Sequence, residues 1–136
     1  MEVKAVTRYA RIAPAKARDF ARHIRGLPVE AALDMLAFSS QKGAHLLRKT
    51  LASAVANAEN NNGLDRAILF VKEAAIDQGP ALKRFQPAAR GSAAPLKKRM
   101  SHIKVIVAER EDKPATKKTG RKARPAKTRS SANDLG

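Results

Sequence analysis

Val3, Ala5, Thr7 and Tyr9 alternate with Lys4, Val6 and Arg8, the two-residue period of a β-strand, here one suited to a sheet edge. The period then changes. Pro14 suits the first turn of a helix, where its missing N–H is no loss, and Ala17, Phe20, Ala21 and Ile24 recur at three- and four-residue spacing up to a capping Gly26. Arg18, Arg22 and Arg25 fall on the opposite side of that helix. A second short helix is predicted from about Pro28, with Val29, Ala32, Leu33 and Leu36 on its buried stripe and Phe38-Ser39-Ser40 at its end. The third and longest runs from Gln41 to about Glu59, with Leu47, Leu51, Ala54, Val55 and Ala58 on one face and Asn60-Asn61-Asn62-Gly63 as its breaker. Its small alanines suit close packing on a sheet, and Lys42, His45, Arg48 and Lys49 make a basic patch near its start.

Strand patterning returns at residues 67–76 and again at 102–107, where Ile103, Val105 and Val107 alternate with Lys104 and Ile106. Between these runs lie Gly79-Pro80, Pro87, Gly91 and Pro95. Proline offers no N–H to a ladder and glycine weakens a strand interior, so the pattern predicts a long, irregular hairpin rather than a continuous sheet. The order β-α-α-α-β-β predicts an α+β fold, three helices packed on one face of a small antiparallel sheet with a protruding β-hairpin. One domain is expected over residues 1–112, including the hairpin at 79–104, followed by a disordered basic tail over 113–136 that is poor in apolar residues.

Charge says what the hairpin is for. Lys and Arg number 28 against 12 Asp and Glu, a formal net charge of +16. Residues 1–77 hold twelve basic and eight acidic side chains, whereas residues 78–108 hold seven basic ones and no acid, and 113–136 add a further net +7. A chain this basic points to a nucleic-acid or anionic-membrane partner. No run approaches the ~20 apolar residues of a bilayer span. No helix pairs a large apolar face with a basic one, which argues against a membrane-active peptide. The absence of cysteine excludes disulfides and thiolate metal sites, and the start Met1-Glu2-Val3-Lys4 shows no secretory signal, so a cytoplasmic protein is expected. With no Trp, one Tyr and four Phe, it lacks platforms for stacking successive bases, and the expected mode is recognition of phosphates and shape.

Four separated stretches, in order, carry a family resemblance: Ala13-Pro14-Ala15-Lys16-Ala17-Arg18, Ile24-Arg25-Gly26, Ala54-Val55-Ala56-Asn57-Ala58-Glu59-Asn60, and Gly79-Pro80-Ala81-Leu82-Lys83-Arg84. The last continues through Pro87-Ala88-Ala89-Arg90-Gly91 and Lys97-Lys98-Arg99-Met100-Ser101-His102-Ile103. Over residues 1–112 the chain resembles the bacterial type of large-subunit ribosomal protein twenty-two. Phe85-Gln86 and Ser92-Ala93-Ala94-Pro95 make its loop less basic than the family's usual form. The resemblance implies a structural protein that binds 23S rRNA, aids its assembly, and contributes its hairpin to the polypeptide exit tunnel wall. Implied partners are 23S rRNA, neighbouring large-subunit proteins and the nascent polypeptide, with neither a membrane nor a small-molecule substrate. Basic positions and resemblance together nominate Arg11, Lys16, Arg18, Arg25, Lys42, Lys49, Lys83, Arg84, Arg90, Lys97, Lys98, Arg99 and His102 as rRNA contacts. The tunnel-lining tip is Arg84, Phe85, Gln86, Pro87, Ala88, Ala89, Arg90, Gly91 and Ser92.

No catalytic or metal chemistry is expected, and no cofactor. His23, His45 and His102 are far apart, with no acidic cluster at ligand spacing. Ser101 and His102 are neighbours on a strand and point to opposite faces, so they do not make a nucleophile–base pair. Asp19, Asp34 and Asp77, isolated among basic residues, read as intramolecular salt-bridge partners. The alternative function is an architectural, nucleoid-type DNA-binding protein whose β-arm wedges Pro87 between base steps. Against it, the sequence shows no strong dimer seam, and the multi-site resemblance points elsewhere.

Overall fold

The computed structural model describes residues 1–110; the predicted basic tail lies outside them. The first strand, β1 (Glu2–Ala10), is followed by helices α1 (Pro14–Ile24), α2 (Val29–Phe38) and α3 (Lys42–Asn62). A short 3₁₀ turn (Arg66–Ile68) then leads into β2 (Leu69–Pro87), and β3 (Ala93–Glu109) returns from the tip. The strands form one antiparallel sheet in the order β1-β3-β2, with β3 central and both others at edges.

The three helices cover one face of that sheet. Ala17, Ala21 and Ile24 of α1, Val29, Ala32 and Leu36 of α2, and Leu47, Leu51, Ala54 and Ala58 of α3 meet Leu69, Val71, Ile103, Val105 and Val107 in a single, nearly all-aliphatic core. These are the residues that the three- and two-residue periods select, because burial of apolar surface, at roughly 25 cal/mol per Å², is what fixes each element's orientation. A polar pair lies within this layer: buried Thr50 donates to the Leu46 carbonyl at 3.0 Å and shares a 2.8 Å hydroxyl bond with Thr7.

Two predicted boundaries move. Helix α3 runs through Asn60–Asn62, three residues past the expected end, because the triple asparagine does not break it. Gly63 does, at a left-handed φ of 61°, its N–H reaching the Glu59 carbonyl at 3.1 Å while Leu64 N–H reaches Ala58 at 3.1 Å. The predicted strand at 67–76 begins only at Leu69, its first residues being spent on the 3₁₀ turn.

The hairpin is also more regular than its glycines and prolines suggest. The β2–β3 ladder runs from Leu69↔Glu109 to Pro87↔Ala93, with irregularities only between Val71 and Glu73 and between Gln78 and Ala81. Gly79-Pro80 sits inside the second bulge, where a missing N–H breaks no ladder bond, and Pro87 and Pro95 lie on a ribbon whose outer edges are free. Beyond that bulge the ribbon is two strands wide and uncovered: every residue from Pro80 to Arg99 is exposed. Its nine residues from Gly79 to Pro87, at ~3.3 Å each, carry the tip about 30 Å from the body. The turn is closed by Ala88 N–H to the Ser92 carbonyl at 2.8 Å and Ser92 Oγ to the Ala89 carbonyl at 2.7 Å.

Candidate nucleic-acid interface

Where the arm leaves the body, its inner side faces the starts of two helices across an open cleft of about 900 Å³. Arg11, Lys16 and Lys42 line the body wall and Arg84, Lys97, Lys98 and Arg99 the arm wall, with no acidic residue in the lining among the described residues. Seven of the thirteen nominated contacts thus meet in one place, from segments up to 88 residues apart in sequence. Helices α1 and α3 both begin here, behind Ala13 and Gln41, and neither start has a side-chain cap. Their positive dipole ends add to the cationic field, an arrangement that accepts phosphate. At α3 the first-turn amides have no partner within the helix, whereas at α1 Pro14 has no N–H and the Lys16 N–H donates to the Ala13 carbonyl at 3.2 Å. Gly43 forms part of the cleft wall: a Cβ there would stand 3.1 Å from the Lys16 carbonyl and 3.3 Å from Ile12 and Phe20 side-chain atoms, so a larger residue would have to push α3 and α1 apart by a few tenths of an ångström.

Sequence reasoning missed Gly43, Ile12, Met100 and Leu82 as parts of this cleft, Leu82 belonging to the arm's wall. Only the register of β2 on β3 could have shown that. The other nominated cations are dispersed. Lys83 lies on β2 between two lining residues, Leu82 and Arg84, but is not itself part of the lining; Arg90 is at the tip with φ 58°, and Lys49 is two turns along α3 from Lys42. Arg18, Arg25 and His102 are engaged within the chain. Arg18 Nε and Nη2 donate to the Ile76 carbonyl at 3.3 Å each, Arg25 Nε and Nη2 to the Ala74 carbonyl at 2.9 and 2.6 Å, and His102 Nδ1 accepts the Tyr9 N–H at 3.1 Å. All nine nominated tip residues, Arg84 to Ser92, are exposed.

The arm's register brings like charges together. Lys83 stands directly opposite Lys97, and Ala81, Leu82 and Arg84 face Arg99, Lys98 and Leu96. Like charges at directly opposed positions destabilise a strand pair, and no acid in residues 78–108 offsets them. Carboxylates elsewhere do not help. Among the described residues the side-chain ion pairs are Arg66 with Glu30 and Lys72 with Glu2, while the amino terminus meets Glu109. The expected salt-bridge roles of Asp19, Asp34 and Asp77 are therefore corrected: the pairing acids are glutamates at element ends, whose side chains reach across to a neighbouring element. The Lys72 ammonium, hydrogen-bonded to Glu2, holds that carboxyl below its ordinary range. Among the described residues no arm cation has a carboxylate partner.

The profile of the family described as ribosomal protein L22p/L17e matches residues 5–108 of this chain. The chain belongs to that family. Among its relatives, the large ribosomal subunit protein uL22 of Akkermansia muciniphila is 54% identical over 111 residues, 82% of this chain and 99% of that protein. The uL22 proteins of Methylacidiphilum infernorum and Opitutus terrae are 50% and 52% identical, over 83% and 80% of this chain and 99% and 96% of their own lengths. The matched span covers the body and the whole arm, so the cleft and both of its walls lie within what the family shares.

Proposed function

We propose that this protein is a structural, non-catalytic constituent of the large ribosomal subunit that binds 23S rRNA through the cleft and the arm. Its body sits on the outside of the rRNA, the arm threads inward between rRNA segments, and the tip around Arg84–Ser92 contributes to the exit tunnel wall along which a nascent chain passes. Binding several segments at once, it helps them fold together during assembly beside neighbouring subunit proteins in the cytoplasm. One observation carries the reading: a 20-residue ribbon with every residue exposed has Lys83 opposite Lys97 and no acid of its own. Such a ribbon is marginal alone in water, and phosphates that flank it remove the repulsion while releasing condensed counterions. The tip is chemically different from the arms, since Phe85–Pro95 holds only Arg90 as a charge, and a weakly charged end suits a surface past which peptide must slide.

Sucrose-gradient fractionation with immunodetection tests the reading. The protein is expected in large subunits that have been washed with salt. Recovery on chromosomal DNA instead would overturn it in favour of an architectural DNA-binding role.

A further inference from the structure

Three of the nominated cationic or polar side chains are occupied where the arm joins the body, and two of them grip adjacent rungs of the ladder. Ile76 pairs with Ile103, and Asp77 with His102. On the outer edge of β2, Arg18 directs two donors at the Ile76 carbonyl, as Arg25 does one step further back at Ala74. Ile76 is the last residue of β2 with a buried side chain, and the bulge opens two positions later. On the opposite side of β3, the backbone N–H of Tyr9 bonds His102 Nδ1, and the two rings meet edge to face with centroids 4.9 Å apart. Tyr9 adopts φ 55°, a conformation that a bulky residue keeps only where its surroundings impose it. The irregularity between Thr7 and Ala10 in the β1–β3 pairing falls on this residue, just before β1 ends.

A two-stranded ribbon carries no layer of its own to fix its direction, and a bulge increases bend and twist locally. The arm's angle must therefore be set where the ribbon is last held. We infer that Arg18 and His102 are positioning residues of the arm: they clamp its root from both sides and so fix the separation of the cleft walls, rather than touching nucleic acid themselves. The planar guanidinium suits the task because its two donors converge on one oxygen and define a direction, which a lysine ammonium does not. The clamp stands on geometry alone; its consequence for RNA binding rests on the function proposed above.

The chain has no cysteine, so two introduced ones give unique spin labels. Ser53→Cys on α3 and Ala81→Cys, the first residue paired beyond the bulge, report the arm's root without the motion of the outer ribbon. In the full-length protein, pulsed double electron resonance should show the distance distribution at least doubling in width for Arg18→Gln, Arg18→Lys and His102→Ala. Arg22→Gln, on the same helix but not bonded to β2, should leave it unchanged. Far-ultraviolet circular dichroism identifies any variant that fails to fold, and Arg18→Lys, which keeps charge and length, is the conservative arm of the test. Against 23S rRNA, Arg18→Gln should lower affinity several-fold with an unaltered dependence of log affinity on log salt. Unchanged widths in folded variants would overturn the clamp. A salt slope reduced by about 0.7–0.9 in Arg18→Gln would overturn it too, because it would put Arg18 on a phosphate. Failure of the parent protein to bind rRNA would instead sink the proposed function while the distance measurement still decides the clamp.

Discussion

From Leu69 to Ile76, strand β2 buries four of its side chains, and its outer edge is bonded at Val71 by the Gly26–Leu27 backbone and at Ala74 and Ile76 by arginines. From Pro80 to Pro87 the same strand, paired to the same partner, buries no side chain, and among the described residues neither edge of its ribbon is paired. The first half is held by the hydrophobic core and the second by ladder hydrogen bonds alone, against the repulsion of Lys83 and Lys97. One strand thus passes from a part of the core into an element with no core of its own. The change occurs at the Gln78–Ala81 bulge.

The comparison is tested most severely by truncating one apolar residue on each side of it. Leu51 is fully buried, and Leu51→Ala should lower unfolding free energy by about 2–5 kcal/mol in a denaturant titration. Phe85, a larger side chain but 75% exposed on the arm, should cost no more than about 0.5 kcal/mol when replaced by alanine. A large loss at Phe85 would mean that the arm has a core contribution of its own.

Charge removal should act in the opposite sense. Replacing Lys97, Lys98 and Arg99 together by alanine should flatten the salt dependence of rRNA binding by roughly two to three units of log–log slope. The unfolding midpoint should not fall, since Lys83 loses its like-charged neighbour. An unchanged slope would mean that these side chains face solvent in the complex.

Deleting Leu82-Lys83-Arg84 takes three residues from β2 and none from β3, so the partners Lys98, Lys97 and Leu96 must re-pair and the tip shortens and turns over. Subunits should still assemble, because the body and its core are untouched. The response to macrolides and peptide stalling in the tunnel should change. Normal subunits with neither property altered would remove the tip from the tunnel wall.

The body was legible because its periods are clean. Ala17, Ile24, Leu36, Leu47 and Leu51 all lie where spacing puts them, and β1 is the edge strand that its alternation describes. The ladder through the arm was less so, since composition discouraged it: Gly79, Pro80, Pro87 and Pro95 read locally as breakers, and only register shows them in a bulge or on free edges. The cleft was half legible. Its seven cations could be nominated by type, but their convergence depends on where β3 returns, and the internal bonds of Arg18, Arg25 and His102 depend on an outward β2 carbonyl or on the left-handed turn at Tyr9. None of these is visible to local pattern.

Smaller effects lie at the chain's margins. Removing everything after Asp112 takes away a net charge of +7 and keeps every described residue of the cleft. It should leave incorporation into subunits intact while weakening nonspecific RNA binding; exclusion of the truncated protein from subunits would make the tail an assembly element. Smallest of all is the Glu2–Lys72 pair. Its depressed carboxyl adds stability above the unfolded-state value that is lost as pH falls through the folded one, and the solvent reaching both side chains keeps the contribution slight. Glu2→Gln should abolish that part of the acid dependence with little change at neutral pH.

The central claim is that the body folds by itself whereas the arm is completed by RNA, and amide hydrogen exchange on the full-length protein reads both at once. In the free protein, the amides of the Leu82–Lys98 and Arg84–Leu96 region should exchange at least a hundredfold faster than those of Val105 and Ala74. On 23S rRNA they should become protected while the body changes little. Arm amides already as slow as the core in the free protein, or still fast when bound, would contradict the account.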